Sequence, residues 1–245
     1  MNDLTAESIR RALPGWVPEV RFLPETGSTN RVAMEWAAEG AAHGSLVVAD
    51  YQTAGRGRLE RTWLAPAGSS VLASVVLRPS MEPGQRGLLA LAAAVALCRC
   101  LEELEVPASV KWPNDVLLGD RKVAGMLSEA AGGVVVLGVG VNVKQQEFPE
   151  EIAATATSLE QFTGRRFGRL PVLEGLVRHL ARLVDGPVEQ IVPSYRPWCG
   201  TLGRRVRVDV GSGPLEDLAA GIDPAGALVL AGGRTILAGD LVQLR

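Results

Sequence analysis

The chain has few of the residues on which several classes of catalytic and metal site depend. Its 245 residues include only three cysteines and two histidines. Cys98 and Cys100 lie two positions apart in a predicted helix, where their side chains diverge, and Cys199 belongs to no C-x-x-C spacing. The sequence therefore predicts buried free thiols, neither a disulfide framework nor a thiolate metal site. His43 and His179 are too few and too far apart to indicate a metal centre or a nucleophile–histidine pair.

The chain also lacks an excess of charge of either sign. Its 25 basic and 27 acidic residues give a pI of about 5.8, which argues against a surface that binds nucleic acid or anionic membrane as a whole. The N-terminus has no basic and apolar signal sequence, and the longest apolar run, 88–98, is too short to span a bilayer. These absences predict a cytoplasmic protein without a membrane partner.

Lysine is nearly absent, since 22 of the 25 basic residues are arginine. A GC-rich genome produces this bias without a functional cause. The three lysines that remain are Lys111, Lys122 and Lys144. Because an ammonium group is a compact point charge and a guanidinium is a planar fork, a lysine kept among so many arginines indicates a position where the difference matters.

Helix and strand patterns alternate over the first 199 residues. Predicted helices cover residues 5–13, 28–39, 85–104, 170–185 and 187–196, and predicted strands cover 20–23, 45–51, 71–77, 116–118, 123–129 and 134–143. This pattern predicts an α+β fold with a mixed, mostly antiparallel sheet covered by helices.

After residue 199 the pattern changes to short β-like runs between Gly- and Pro-rich turns. The runs cover residues 205–210, 218–222, 227–230, 235–237 and 241–244. They predict a small barrel. The sequence therefore divides into a larger domain, 1–199, and a smaller one, 200–245.

A basic loop, Gln52–Trp63, lies between two apolar segments. Arg56, Arg58 and Arg61 offer fork-shaped donors for phosphate or carboxylate oxygens, and Gly57 lets the backbone approach a ligand. A solvated basic turn is the alternative interpretation. Binding of an anion is the stronger hypothesis because other motifs accompany the loop.

The strand predicted over 134–143 has two unlike faces. Strand alternation places Gly138, Gly140 and Asn142 on one face and valines on the other. A face without side chains is tolerated where a ligand or another backbone approaches, and the Asn142 amide suits an adenine edge. A close sheet–helix contact with a satisfied asparagine is the alternative. The chain has neither a P-loop nor a helix after these glycines, so neither familiar nucleotide signature applies.

Two lysine motifs border a predicted hairpin. Lys111 to Asp115 places a cation and a carboxylate within five residues, able to meet phosphate and Mg²⁺, although a surface Lys–Asp pair explains it equally well. Lys122 begins the second strand of the hairpin, where an exposed strand-end lysine is the alternative.

A short polar motif precedes the second predicted helix. Ser28 is in the N-cap position, and capping explains it fully. Capping leaves Thr29 and Asn30 available to hydrogen-bond a small polar ligand.

In order and spacing these five motifs resemble the biotin protein ligases, the biotin–[acetyl-CoA carboxylase] ligases. The resemblance covers about residues 22–245 and implies a class II synthetase-like catalytic domain followed by an SH3-like domain. It implies an enzyme that activates biotin with ATP and Mg²⁺ as biotinyl-5'-AMP and transfers it to a lysine of a biotin carboxyl carrier protein. Family members that act as repressors carry a winged helix-turn-helix, for which the 27 residues before Ser28 are too few, so no DNA binding is expected. A homodimer remains an open alternative to a monomer.

The resemblance also assigns residues. It implies biotin contacts for Ser28, Thr29, Asn30, Gln52, Arg56, Gly57, Arg58 and Lys122, and ATP contacts for Arg56, Arg58, Arg61, Lys111, Asn114, Asp115 and Asn142. Lys122, Arg58 and Lys111 are the expected catalytic residues, and Asp115 is the expected Mg²⁺ ligand.

Two other functions compete with this one. A lipoate or octanoate ligase of the same superfamily has a related architecture and a different acyl pocket, but the Gln52–Trp63 and Lys111–Asp115 motifs favour biotin. A non-enzymatic RNA-binding protein would need a basic face and stacking aromatics, whereas aromatic residues make up only 4% of the chain.

Overall fold

The structure is a computed structural model that describes residues 3–13, 15–58, 61–209, 213–237 and 240–243. Seven strands form its larger sheet: β1 (Val20–Thr26), β2 (Leu46–Gln52), β3 (Ser70–Leu77), β4 (Ser109–Lys111), β5 (Asp115–Leu118), β6 (Arg121–Ala131) and β7 (Val134–Asn142). Their spatial order is β1-β2-β3-β7-β6-β5-β4. Strand β1 runs parallel to β2, and the other neighbours are antiparallel. The predicted mixed, mostly antiparallel sheet is confirmed.

Helices cover both faces of this sheet. They are α1 (Ala6–Ala12), α2 (Thr29–Ala38), α3 (Leu88–Glu103), α4 (Glu150–Ala153), α5 (Leu159–Thr163), α6 (Arg169–Val184) and α7 (Ile191–Tyr195). Strand β3 is buried along its whole length because both its faces are covered. Its odd-numbered residues pack with α3 and α6, whereas Val76 packs with α2 on the opposite face.

Helix α3 is apolar almost all round because it lies between the sheet and α6. Together with the preceding 3₁₀ turn, Pro83–Gln85, it forms a segment long and apolar enough to cross a membrane. The short length of the 88–98 run is therefore not a sufficient argument against a membrane span. Most of the segment is buried within the protein, as expected for the core helix of this fold.

Several predicted elements differ from the observed ones at their ends. The strand predicted over 20–23 continues to Thr26 through Pro24, which β1 tolerates as the edge strand of the described sheet. The helix predicted over 187–196 is broken into the 3₁₀ turn Val188–Gln190, α7 and the 3₁₀ turn Arg196–Trp198. Prolines at 187, 193 and 197 explain the interruptions, since each lacks a backbone donor.

The C-terminal part forms a second, antiparallel sheet of five strands. They are β8 (Arg205–Asp209), β9 (Pro214–Ile222), β10 (Leu228–Leu230), β11 (Thr235–Ile236) and β12 (Asp240–Gln243), in the order β11-β10-β9-β8-β12. Each of the five predicted runs overlaps a strand, although residues 210 and 244 at the ends of two runs lie outside the described residues. The apolar residues of this sheet join the same core as the larger sheet.

A tryptophan connects the two sheets. The indole N–H of Trp112 donates to the backbone oxygen of Gly226 at 3.0 Å, and its backbone N–H donates to Thr201 Oγ1 at 2.9 Å. Trp112 is 2% exposed and precedes a cis peptide bond to Pro113. The turn between β4 and β5 is thus held from the C-terminal side.

The three cysteines are free and buried, as predicted. Burial raises the pKa of Cys98 and of Cys100 to about 12 and also raises the pKa of Cys199. These thiols stay protonated at neutral pH, which makes them unsuited to nucleophilic or metal chemistry.

Candidate active site

A cavity of about 620 Å³ lies over the face of β7 that has no large side chains. The basic loop, the start of α2, the β4–β6 hairpins and β7 all contribute to its walls. Every site residue predicted from the sequence lines it: Ser28, Thr29, Asn30, Gln52, Arg56, Gly57, Arg58, Arg61, Lys111, Asn114, Asp115, Lys122 and Asn142. The loop and the glycine strand therefore meet at one site. Residues 59 and 60 of the loop lie outside the described residues.

The glycines of β7 leave space that other side chains occupy. A Cβ atom at Gly138 would overlap Asn30 Oδ1, and one at Gly140 would lie 2.6 Å from Cε2 of Trp63. A Cβ added at Gly125, the partner of Gly140 on β6, would lie 3.3 Å from Cζ3 of the same indole. The sequence predicted a ligand or another backbone close to this face, with a sheet–helix contact as the alternative; in the described structure side chains from α2 and the basic loop lie there.

The start of α2 differs from the sequence-based interpretation. Ser28 is the N-cap residue and has extended backbone geometry, but its side chain makes no capping hydrogen bond. Capping therefore does not explain Ser28. Thr29 and Asn30 are not left free either, because both bind neighbouring side chains, and all three residues are buried.

These neighbours form a hydrogen-bonded floor. The backbone N–H and hydroxyl of Thr29 donate to Gln52 Oε1 at 2.7 and 3.0 Å. Ser74 Oγ lies 2.8 Å from Thr29 Oγ1 and 2.6 Å from Asn30 Oδ1, and Asn30 Nδ2 donates to Glu129 Oε2 at 2.7 Å. Buried polar groups so satisfied hold fixed positions, which suits recognition of a small polar ligand.

Two cations of the cavity form ion pairs with carboxylates on the strands. Arg56 Nη1 lies 3.0 Å from Glu129 Oε1, and Lys122 Nζ lies 2.6 Å from Asp115 Oδ1. Lys111 and Lys122 both line the cavity, as their expected roles require, and the Lys122 side chain is 36% exposed.

The arginine nearest the hairpin is held by an amide. Arg58 Nη1 donates to Asn114 Oδ1 at 3.1 Å, and Asn114 Nδ2 donates to the backbone oxygen of Met126 at 2.5 Å. This relay fixes Arg58 relative to β6. The turn between β4 and β5 is also supported by Tyr195, whose Oη donates to the backbone oxygen of Pro113 at 3.3 Å.

Two buried polar atoms of the cavity have no partner in the described structure. Asn142 Nδ2 donates to the Thr157 backbone oxygen at 3.0 Å, but Asn142 Oδ1 accepts no hydrogen bond there. The indole N–H of Trp63 likewise donates no hydrogen bond to any described residue. A buried acceptor without a donor is costly, so Asn142 Oδ1 is suited to an incoming N–H group.

The cavity does not contain a preformed metal centre in the described residues. No group of three or more His, Cys, Asp or Glu side chains suited to a metal occurs in residues 3–13, 15–58, 61–209, 213–237 and 240–243. Asp115, the predicted Mg²⁺ ligand, is paired with Lys122. A single carboxylate fits Mg²⁺ only when substrate phosphates and water supply the other ligands.

The sequence motifs assign no role to three further residues of the site, Glu129, Ser74 and Trp63. Glu129 continues the alternation of Gly125 on β6 and faces the same side, and Ser74 pairs with Gly138 inside the apolar run 71–77. A carboxylate in phase with Gly125 and a hydroxyl inside the apolar run of β3 were signals for these residues. For Trp63, only the structure shows the contact with Gly140.

Similarity to known proteins agrees with the geometry. Residues 22–146 match the model of the biotin/lipoate A/B protein ligase family. The chain belongs to this family. It is 41% identical over 244 residues to a biotin–[acetyl-CoA-carboxylase] ligase of Mycobacterium tuberculosis, a match that covers 94% of this chain and 91% of that protein. The resemblance to biotin protein ligases indicated by the five motifs is confirmed.

Other members of the ligase family show the same relationship. The bifunctional ligase/repressor of Bacillus subtilis is 36% identical over 218 residues, which are 83% of this chain and 66% of that protein. The biotin protein ligase of Aquifex aeolicus, solved in complex with biotin and ATP, has a TM-score of 0.79 and 31% identity, with 93% of this chain and 99% of that chain covered.

Proposed function

We propose that the protein is an ATP-dependent ligase that activates biotin as biotinyl-5'-AMP and transfers the biotinyl group to a lysine of a biotin carboxyl carrier protein. One observation carries the proposal: the basic loop, both hairpin lysines and Asn142 converge on one cavity in a chain of the ligase family. The Aquifex relative, solved with biotin and ATP, supports both substrates.

Biotin binds at the floor, and ATP binds towards Asn142. The buried Ser28, Thr29 and Asn30 and the half-buried Gln52 provide the polar groups for biotin. Asn142 Oδ1, which accepts no hydrogen bond from the described residues, accepts one from the adenine amino group. The biotin carboxylate then lies between the two ends, near Lys122.

The first step is attack of the biotin carboxylate on the α-phosphorus of ATP, with pyrophosphate as the leaving group. Both reactants are anions, so the protein must neutralise charge and align them. Lys122 binds the carboxylate and the developing acyl phosphate. Phosphate oxygens are bound by the remaining cations, Arg56, Arg58, Arg61 and Lys111. Gly57 lets the backbone of the loop come close to the ligand. Asn114 positions Arg58.

The second step is attack of a carrier lysine amine on the acyl carbon of the adenylate, which releases AMP. The mixed anhydride must be protected from water until the carrier arrives, and the basic loop provides this protection. No covalent enzyme intermediate is required. The buried thiols agree with this mechanism.

Asp115 would provide a carboxylate ligand for Mg²⁺ bound together with the ATP phosphates, and it lies 2.6 Å from Lys122 Nζ. The Mg²⁺ ion neutralises phosphate charge when bound.

The finer architecture belongs to the same proposal. Residues 1–199 form a class II synthetase-like catalytic domain, and residues 200–245 form an SH3-like domain that contributes Arg204, Leu241 and Val242 to the cavity. The enzyme is cytoplasmic, and a homodimer remains an alternative to a monomer.

The direct test incubates the protein with biotin, Mg-ATP and a carrier domain, followed by an avidin blot. We expect labelling that requires all components and that disappears when the carrier lysine is replaced by arginine. Parallel reactions with lipoate and octanoate identify a different acyl specificity. Labelling with lipoate alone, or no pyrophosphate release from biotin and ATP, would refute the proposal.

A further inference from the structure

Glu129 lies where the basic loop meets the floor of the cavity. It faces the cavity side of β6, and its two carboxylate oxygens have different partners. Oε1 lies 3.0 Å from Arg56 Nη1 of the loop, and Oε2 accepts from Asn30 Nδ2 of α2 at 2.7 Å. One side chain thus bridges two elements that are distant in sequence.

The bridge continues through the floor and returns to the beginning of the loop. Asn30 Oδ1 and Ser74 Oγ are 2.6 Å apart, Ser74 Oγ and Thr29 Oγ1 are 2.8 Å apart, and Thr29 binds Gln52 Oε1. Gln52 is the last residue of β2, from which the loop starts. The contacts therefore form a closed circuit between Gln52 and Arg56.

A simple surface ion pair would not have these properties. The side chain of Arg56 is 58% exposed, but that of Glu129 is only 28% exposed and its other oxygen binds Asn30, which is buried. An exposed pair contributes little because water competes for both charges. A carboxylate whose one oxygen is hydrogen-bonded to a buried amide has lost the freedom to turn towards water. It can therefore hold the Arg56 guanidinium in a defined place.

We propose that Glu129 is a positioning residue that anchors Arg56, and with it the basic loop, to the biotin end of the cavity. The proposal rests on the proposed function, because retention of the adenylate is the property it explains. Glu129 itself contacts no reacting atom. It sets the place from which Arg56 meets the ligand.

The variant Glu129→Gln is nearly isosteric and separates the two contacts. The glutamine oxygen still accepts from Asn30, but its amide group faces the guanidinium as a second donor. We expect biotinyl-AMP to leave the enzyme about tenfold faster, since a charge-assisted hydrogen bond to a partly exposed carboxylate is lost. The KM for biotin changes less, because the floor keeps its partners.

A double-mutant cycle distinguishes positioning of Arg56 from a general structural role. Release of the adenylate is measured for Glu129→Gln, Arg56→Gln and the double variant. If Glu129 acts through Arg56, Glu129→Gln adds almost nothing in the Arg56→Gln background. Full additivity of the two effects would overturn the proposal. Glu129→Asp keeps the charge but is too short to bridge both partners, so its release rate lies between wild type and Glu129→Gln.

Hydrogen exchange of the loop tests the anchor independently of catalysis. The amide of Gly57 donates to Arg61 O at 2.6 Å and that of Trp63 donates to Gly55 O at 2.9 Å. Both should exchange faster in Glu129→Gln, whereas the matched control Glu216→Gln, which loses the Arg207 pair on the C-terminal sheet, should leave them unchanged. Unchanged exchange in Glu129→Gln rejects the anchor even if the wild type forms no adenylate; absence of adenylate in the wild type rejects the proposed function instead.

Discussion

Two walls of the cavity solve different problems. The cationic wall, Arg56, Arg58, Lys111 and Lys122, consists of long side chains that remain partly accessible to solvent. The glycine wall, Gly125, Gly138 and Gly140 with Asn142, consists of backbone in the middle of the sheet. Charge can be supplied from a loop, but space close to a backbone requires a rigid element whose side chains are missing. Changes in the first wall should therefore affect kinetics, and changes in the second should affect stability as well.

Lys122→Arg should have the largest kinetic effect and sharpens the comparison from the cationic side. The guanidinium is bulkier than the ammonium and cannot keep the 2.6 Å contact with Asp115 and the place beside Gly125. We expect adenylation to slow by about 10²- to 10³-fold, the cost of losing one donor to a developing charge. Pyrophosphate release measures this effect.

The melting temperature of Lys122→Arg should stay within a few degrees of wild type. Lys144→Arg is the control, since Lys144 pairs with Asp3 outside the cavity and its replacement should leave adenylation unchanged. Near-normal pyrophosphate release from Lys122→Arg would remove Lys122 from the chemistry.

Gly138→Ala tests the glycine wall. The added Cβ overlaps Asn30 Oδ1, which must leave its place between Ser74 and Glu129. We expect a loss of about 1–3 kcal/mol in the free energy of unfolding, typical of overpacking, together with a higher KM for biotin. Urea unfolding and steady-state kinetics measure the two effects. Gly221→Ala in β9 is the control, because a Cβ there has no atom within 4 Å. Equal effects of the two alanines would break the distinction between the walls.

Arg58→Gly addresses retention of the intermediate. Removing the guanidinium also frees Asn114, its partner on the hairpin. We expect biotinyl-AMP to escape about tenfold faster, which corresponds to a lost charge-assisted hydrogen bond. Escaped adenylate should label lysines of unrelated proteins in the mixture. Arg58→Lys keeps the charge without the fork and should show an intermediate leak. Unchanged acceptor selectivity of Arg58→Gly would contradict this role.

The smallest effect on catalysis is expected for a change outside both walls, at the ion pairs of the buried Arg169. Its Nε and Nη1 bind Asp3 Oδ1 and Asp50 Oδ1, each at 2.8 Å. Burial alone would raise the pKa of Asp3, but hydrogen bonds from Arg169 and Lys144 lower it to about 2. The stabilising contribution is therefore complete above the usual pKa of 3.8 and is lost as the pH falls towards 2.

Asp3→Asn should lower the free energy of unfolding at pH 7 and make its decline between pH 4 and pH 2 less steep. Chemical denaturation across this range measures both, with Glu7→Gln on the exposed side of α1 as control. Adenylation kinetics at neutral pH should not change. A kinetic defect in Asp3→Asn would show that the two walls do not account for the site alone.

The sequence predicted the members of the site better than their contacts. The motif residues, among them Arg56 and Asn142, all line the cavity. They were predictable because the alternation along a strand shows which side chains share a face, and because polar groups in loops and at strand ends stand out from the apolar pattern. The partners of Arg56 and Arg58 were not predictable, since Arg56–Glu129 and Arg58–Asn114 join segments more than fifty positions apart. Register between strands decides such pairs, and a single sequence does not specify it.

The fold shows the same division. Long segments such as α3 were predicted to within a few residues, whereas residues 187–196, which the structure breaks into short turns, were predicted as one helix. Ser28 illustrates a different error, because a residue type that commonly caps helices occupies the N-cap position without making the capping bond.

The hydrogen bond between Trp112 and Gly226 has a consequence for how the chain can be divided. A chain cut near residue 200 separates Trp112 from Gly226. The indole N–H of Trp112, the residue after Lys111, then has lost its acceptor. A fragment ending there would lose the support of the turn that places Lys111 and Asp115 in the cavity. Changes that disrupt the small sheet should therefore first weaken ATP binding, at a distance from the changed residues.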